Sequence, residues 1–219
     1  MNSRFDMGCA DDVAGVDEVG RGALFGPVVA AAVMLTPNHG QQLLDLGLTD
    51  SKKLTAKQRD YLFDYICQGA IACRVGLASV AEIDRLNILQ ASLLAMKRAV
   101  MGLSPLPRHC LVDGNQPIPH LSLSQQTIVK GDQLALPIAA ASVVAKVWRD
   151  RLITRMADRF PGYGLASNKG YGTQSHRNAI STIGLSRYHR RSFKPCQINN
   201  PTLSGQISSH ISLALTQFS

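Results

Sequence analysis

Ten consecutive positions, Gly26-Pro-Val-Val-Ala-Ala-Ala-Val-Met-Leu35, carry no polar side chain. Successive side chains of a strand face opposite ways, so a strand over Val28–Leu35 is expected to be buried on both faces, inside a sheet. Just upstream, Val13-Ala-Gly-Val-Asp17-Glu18 is a short apolar stretch, predicted as a strand over 12–18, that ends in two adjacent carboxylates. Gly20-Arg21-Gly22 follows at once. Acid beside a backbone-exposing turn suggests a site that holds divalent metal while touching a polyanion.

The remaining segments supply an α/β pattern. Thr36-Pro-Asn-His-Gly reads as a turn, and Thr55 with Gln58 as the capping box of a helix. Ile71, Cys73, Val75 and Leu77 alternate with smaller or polar residues, which predicts a strand with its core face on those four. Ser79 and Glu82 form a second capping box, and apolar residues from Ile83 to Val100 at spacings of three and four predict one long helix. His109–Asp113 and Gln126–Lys130 read as short strands. Pro137 opens a helix running to about Phe160, with Lys146, Arg149, Arg151, Arg155 and Arg159 expected on its outer face. A glycine-rich loop follows, then a helix capped by Thr173 and closed by Gly184. Strands interleaved with helices indicate an α/β domain with a mixed sheet. Residues 1–11 read as a leader, 12–195 as the folded α/β domain and 196–219 as a flexible tail in which Ile211, Leu213 and Leu215 alternate.

Bulk properties narrow the class. The 219 residues suit one domain, and a hydrophobic fraction of 45% against 17% charged residues is an ordinary globular balance. A net charge of +8 favours an acidic partner such as nucleic acid or an anionic membrane. Cys9, Cys67, Cys73, Cys110 and Cys196 are odd in number and form no C-x-x-C pair, so reduced, mostly packed thiols are expected rather than a disulfide framework or a zinc site. The opening Met-Asn-Ser-Arg-Phe-Asp has no apolar signal-like region, and no run reaches the roughly 18 apolar residues of a membrane span. A cytoplasmic protein with no membrane partner is expected.

Four acids, Asp17, Glu18, Asp113 and Asp132, each end an apolar segment or lie beside a glycine. Singly they read as turn or cap residues; jointly, in a basic chain, they suggest a carboxylate cluster at converging strand ends. An oxygen-rich, cysteine-free set suits Mg²⁺ or Mn²⁺. Four carboxylates can neutralise two divalent ions, as two-metal phosphodiester hydrolysis requires. Strand alternation sets a condition: Asp17 and Glu18 can serve one metal pair only if the strand ends or bends at Glu18. A nucleotide-phosphate loop is disfavoured, because Gly20-x-Gly22-x-x-x-Gly26 is one residue too long for the dinucleotide fingerprint and leads into a strand.

The stretches Gly15-Val-Asp-Glu-Val-Gly-Arg-Gly22, Asp50-Ser-Lys-Lys-Leu54, Val112-Asp-Gly-Asn115, Lys130-Gly-Asp132, Ala139-Ala-Ala-Ser-Val-Val-Ala-Lys146, Lys169-Gly-Tyr-Gly-Thr173 and His189-Arg-Arg-Ser-Phe193 resemble the motifs of ribonuclease HII, in family order over residues 13 to 194. The resemblance implies a ribonuclease H-like fold: a five-stranded mixed sheet flanked by helices, with a C-terminal helical extension. It implies endonucleolytic cleavage of RNA in RNA/DNA hybrids and nicking 5′ to single ribonucleotides in duplex DNA, leaving 3′-hydroxyl and 5′-phosphate ends. By motif position Asp17, Glu18, Asp113 and Asp132 correspond to the catalytic, metal-binding set for two Mn²⁺ or Mg²⁺ ions. Gly20, Arg21 and Gly22 correspond to the turn that contacts the 2′-hydroxyl, the group that separates RNA from DNA, and Tyr171 to a platform for the junction sugar. Lys52, Lys53 and Lys146 are candidate phosphate contacts; His176 and His189 are phosphate donors or loop pins. A monomer is expected, and a sliding-clamp partner is left open with no sequence feature behind it. Ala23, Phe25 and Leu185 depart from the family pattern. Another metal nuclease of this fold would lack the Gly-Arg-Gly turn and the Lys-Gly-Tyr-Gly-Thr loop. A non-catalytic nucleic-acid binder would gain nothing from four acids beside a phosphate track.

Overall fold

A computed structural model of the protein describes residues 9–197. Of the tail expected over 196–219, Cys196 is buried in the 3₁₀ turn Lys194–Cys196 rather than loose, and residues 198–219, with the alternating Ile211, Leu213 and Leu215, lie outside the described residues, as do residues 1–8 of the leader. In chain order the elements are β1 (Val13–Val19), β2 (Val28–Met34), α1 (Pro37–Asp45), α2 (Ala56–Gly69), β3 (Ala72–Ala78), α3 (Val80–Leu86), α4 (Ile88–Met101), β4 (His109–Asp113), β5 (Ser124–Ile128), α5 (Gly131–Leu134), α6 (Leu136–Ala157), α7 (Leu165–Asn168) and α8 (Gln174–Ile183). A single 3₁₀ turn, Lys194–Cys196, follows. No helix among the described residues is long and apolar enough to cross a membrane.

The five strands form one mixed sheet in the order β3-β2-β1-β4-β5. β2 is antiparallel to both β1 and β3, whereas β1–β4 and β4–β5 are parallel. Every residue of β2 is buried, as its apolar run requires. Val28, Ala30, Ala32 and Met34 face a layer built on α4, and Ala31, Val33 and Leu35 face α6 and α2. Alanine-rich strands let both helix layers lie close, and Gly15 takes this furthest. A Cβ on Gly15 would stand 2.0 Å from the Pro137 carbonyl carbon, so the start of α6 rests directly on β1.

Several local expectations are corrected. Thr36-Pro37 opens helix α1 rather than a turn: the Thr36 hydroxyl accepts from the His39 amide, and Pro37 occupies a first-turn position where no amide is needed. The long helix expected from Ile83 to Val100 is two helices. Asn87 breaks it at φ +71° and caps α4 by accepting from the Gln90 amide. The buried face of β3 is not Ile71-Cys73-Val75-Leu77 but its small residues: Ala72, Gly76 and Ala78 are buried, and Leu77 is 38% exposed. Gly76 is where α4 lies against the sheet, since a Cβ there would meet Ala95 O at 2.3 Å. β5 begins and ends two residues before the expected Gln126–Lys130. Both capping boxes, at Thr55–Gln58 and Ser79–Glu82, form as read. All five cysteines are free, with Cys67 exposed rather than packed.

Candidate active site

The parallel pairing of β1 with β4 ends at Val16–Val112. Asp17 and Asp113 are the next residues on each strand, so the register sets them side by side at the carboxyl ends of neighbouring parallel strands. β4 stops at Asp113 and the chain turns away at Gly114, φ +96°. That opens a notch which Glu18 enters from the next position of β1. One oxygen from each of Asp17, Glu18 and Asp113 lies within 4.8 Å of the others. The condition that β1 must break at Glu18 is therefore not needed: β1 pairs regularly with β2 through Val19, and β4 is the strand that leaves. Asp17 helps by bending back, its Oδ1 accepting from the Glu18 amide at 2.7 Å.

Electrostatics marks this cluster as unbalanced. Burial, then the charges of Glu18 and Asp113, push the Asp17 carboxyl well above the usual range against the opposing Ser142 hydroxyl and Glu18 amide. Burial also raises Glu18, partly countered by Arg21, whose Nη1 is 3.2 Å from Glu18 Oε1. Asp113 is raised by burial despite accepting from the Gly131 amide at 2.7 Å. Three carboxylates that resist ionising together are a set of hard oxygen donors suited to a divalent cation.

Asp132 stands apart from the three. It lies in the first turn of the short helix α5 rather than at a strand end, is 5% exposed, and its Oδ2 is 3.3 Å from Lys52 Nζ. Its charge reaches Asp113 and raises that carboxyl. Burial opposes the Lys52 ammonium, yet Asp132, Asp50 and Asp17 together hold its pKa above the usual value. A cleft of about 240 Å³ is lined by Asp17, Glu18, Ser51, Lys52, Asp113, Ser142, Lys146 and Tyr171. Lys53 is absent from this lining and turns to solvent.

The glycine turn follows directly on Val19, which also lines this cleft, and Arg21 lines a neighbouring cleft together with Glu18 and Asp113. Gly20 has φ +89°, and Arg21 and Gly22 are exposed. Tyr171 is half-buried and bridges to Ala23, with Lys146 Nζ 5.8 Å and Arg149 Cζ 5.4 Å from its ring centroid. Lys146 also pairs with Asp150 at 2.9 Å. Arg149 is not on the outer face of α6: it is completely buried and donates to three backbone carbonyls. His176 and His189 are loop pins. Both are buried, their Nε2 atoms are 3.1 Å apart, and His176 Nδ1 lies 2.9 Å from Tyr171 O. Phe25 packs among Phe160, Tyr188 and His189, which gives the departure at that position a structural role.

Sequence reasoning missed Ser51 and Ser142, whose hydroxyls are 2.9 Å apart beneath Asp17. The only polar side chain within the run Ala139–Ala145 was their available signal. The burial of Arg190 has no signal in the sequence, because the basic run Arg187-Tyr-His-Arg-Arg191 has the composition of a solvated segment.

A mixed five-stranded sheet with carboxylates converging at the ends of β1 and β4 defines a ribonuclease H-like α/β protein. The family model for ribonuclease HII matches residues 14–196. Ribonuclease HII of Acaryochloris marina is 61% identical over 188 residues, covering 86% of this chain and 95% of that protein. Among solved structures, ribonuclease H2 from Pyrococcus horikoshii superposes with a TM-score of 0.71 at 27% identity, covering 84% of this chain and 95% of that one. Ribonuclease HII of Archaeoglobus fulgidus, solved as a complex with PCNA, gives 0.66 at 26% identity, covering 88% and 98%. The chain belongs to the ribonuclease HII family and is an endoribonuclease of the ribonuclease H type 2 class acting on RNA/DNA hybrids.

Proposed function

We propose that the protein nicks duplex DNA 5′ to single embedded ribonucleotides as well as cleaving longer hybrids, leaving 3′-hydroxyl and 5′-phosphate ends. The observation that carries this reading is the approach of Asp17, Glu18 and Asp113 to within 4.8 Å, with Arg21 paired to Glu18 and Tyr171 on the same cleft. A site for one strand junction needs the hydrolytic centre and the sugar-reading surface in one small space. Here the three acids and Tyr171 line one cleft of about 240 Å³.

In this reading Asp17, Glu18 and Asp113 hold divalent cations, Mn²⁺ or Mg²⁺, with Asp132 completing the set when Lys52 moves to substrate phosphate. Two such cations, when bound, supply an activated water and charge stabilisation at the leaving oxygen. The protein's own contribution is placement. The exposed Arg21–Gly22 part of the glycine turn approaches the 2′-hydroxyl, Arg21 can pair with phosphate bidentately, and the Tyr171 ring packs on the junction sugar. Lys146 lies beside that ring and adds positive charge on the phosphate side. Residues 12–195 form the catalytic domain of a cytoplasmic monomer in this account.

The test is a DNA duplex with one embedded ribonucleotide, incubated with Mg²⁺ or Mn²⁺. A single nick 5′ to the ribonucleotide, with an all-DNA duplex left intact, is the expected result. Cleavage confined to long hybrids would contradict the junction reading.

A further inference from the structure

Arg149 and Arg190 are both completely buried, and among the described residues neither has a carboxylate oxygen within 4.0 Å. Their partners are backbone carbonyls. Arg149 donates from Nε to Pro27 O at 3.1 Å, from Nη2 to Phe25 O at 3.0 Å and from Nη1 to Lys169 O at 2.9 Å. Arg190 donates from Nε to Gly26 O at 3.0 Å and from Nη1 to Arg21 O at 2.8 Å, and its own amide donates to Leu24 O at 2.9 Å. Its Nη2 is buried without a partner among the described residues. The segment is also tied in the other direction, because the Leu24 and Phe25 amides donate to Gly170 O, and that of Gly26 to Tyr188 O.

Two buried guanidiniums without counter-ions are a costly way to build a core. Burial and the neighbouring Arg149 pull Arg190 down to about 9, and burial lowers Arg149 as well. A neutral side chain would fill the same space at lower cost. Only a planar fork can reach three carbonyls on two separate loops, and the loops so joined are the glycine turn and the one that carries Tyr171. Gly20 leaves room for this arrangement, since a Cβ there would stand 2.1 Å from Arg149 Nε.

We propose that Arg149 and Arg190 are positioning residues for substrate: Arg149 joins the Gly20–Pro27 turn to the Lys169–Tyr171 loop and Arg190 braces that turn at Arg21 and Gly26, so that the two loops present one rigid surface that reads the ribonucleotide. This rests on the hybrid-cleaving activity described above. The buried charges lie behind a surface built for phosphate, and a bound polyanion supplies the negative charge that the protein interior withholds.

The test is Arg149→Lys and Arg190→Lys, measured for melting temperature, Mn²⁺ affinity, kcat and KM on a hybrid, and hybrid-over-DNA binding preference in Ca²⁺. Lysine keeps the charge and loses the fork. KM is expected to rise and the binding preference to fall by about tenfold or more, with Mn²⁺ affinity unchanged. A folded variant with wild-type KM and preference overturns the proposal, as does an equal loss of Mn²⁺ affinity. If both variants fail to fold, Asp84→Ala decides. That side chain accepts from Arg191 N, Ser192 N and Ser192 Oγ and so tethers the Arg190 loop from outside the site. A raised KM at unchanged kcat supports positioning, and an unchanged KM overturns it. A wild-type protein that cleaves no hybrid would instead defeat the activity itself, and this inference with it.

Discussion

The Gly131 amide donates to Asp113 Oδ1 at 2.7 Å, tying the end of β4 to the first turn of α5 and setting Asp132 one residue beyond. The fourth acid is thus held near the other three by backbone, while its side chain is engaged by Lys52 at 3.3 Å. Asp113→Asn is expected to lower hybrid turnover by about a thousandfold or more, with hybrid affinity in Ca²⁺ largely retained. Asp132→Asn should remove one Mn²⁺ from the stoichiometry measured with substrate and leave the cation held by the other three. Two cations retained in Asp132→Asn would detach that residue from the site.

The raised carboxyls give the protein a definite response to pH and cation. A carboxyl whose folded pKa exceeds its unfolded value binds more protons when folded, so stability falls as pH rises from the ordinary carboxylate range through the folded value. Asp17, Glu18 and Asp113 all carry this sign. Without cation, Asp17→Asn should therefore melt a few degrees higher than wild type at neutral pH. Divalent cation at about 100 times its Kd should stabilise the wild type by about 2.7 kcal/mol, and the variant by much less. Calorimetric melting with and without Mn²⁺ measures both.

Gly15→Ala tests the closeness of α6 to β1. The added Cβ would meet backbone, at 2.0 Å from Pro137 C and 2.3 Å from Ile138 N, and backbone at a helix start has little room to yield. A loss of about 3 kcal/mol is expected in denaturant unfolding, with turnover falling as well because Ser142 of the same helix supports Asp17. Unchanged stability would mean that α6 can slide.

The histidine pair sets an acid limit on the C-terminal loops. Burial and the adjacent His176 lower His189 to about 4, and burial lowers His176 as well. A depressed histidine pKa means the unfolded chain binds more protons, so stability is lost as pH falls below the ordinary histidine value toward 4. His189→Gln should flatten the stability profile between about pH 6.5 and 4, as read from melting temperature against pH.

How much of this was legible follows from where the information sits. The apolar run of β2 demanded cover on both faces, and the two capping boxes carried their own hydrogen-bond logic, so all three could be read locally. The acids at 17, 18 and 113 announced strand ends, but their convergence depends on the β1–β4 register, which no local pattern encodes. Asn87 broke a helix inside an unbroken apolar period, because a cap can be supplied by a residue that periodicity treats as a spacer. β3 misled because its bulkier residues look like a core face, whereas a helix packed directly on the sheet selects Gly76 and alanine. Arg149 has the sequence context of a solvated residue, as charge usually does; its burial depends on carbonyls brought from residues 25, 27 and 169.

The claim beneath all of this is that Asp17, Glu18 and Asp113 share captured cations. Anomalous diffraction from crystals grown with Mn²⁺ and a non-cleavable hybrid measures it most directly. A peak between those three carboxylates and a second toward Asp132, with Lys52 moved off that residue, is the expected result. Manganese peaks elsewhere, with the three carboxylates left facing one another, would contradict it.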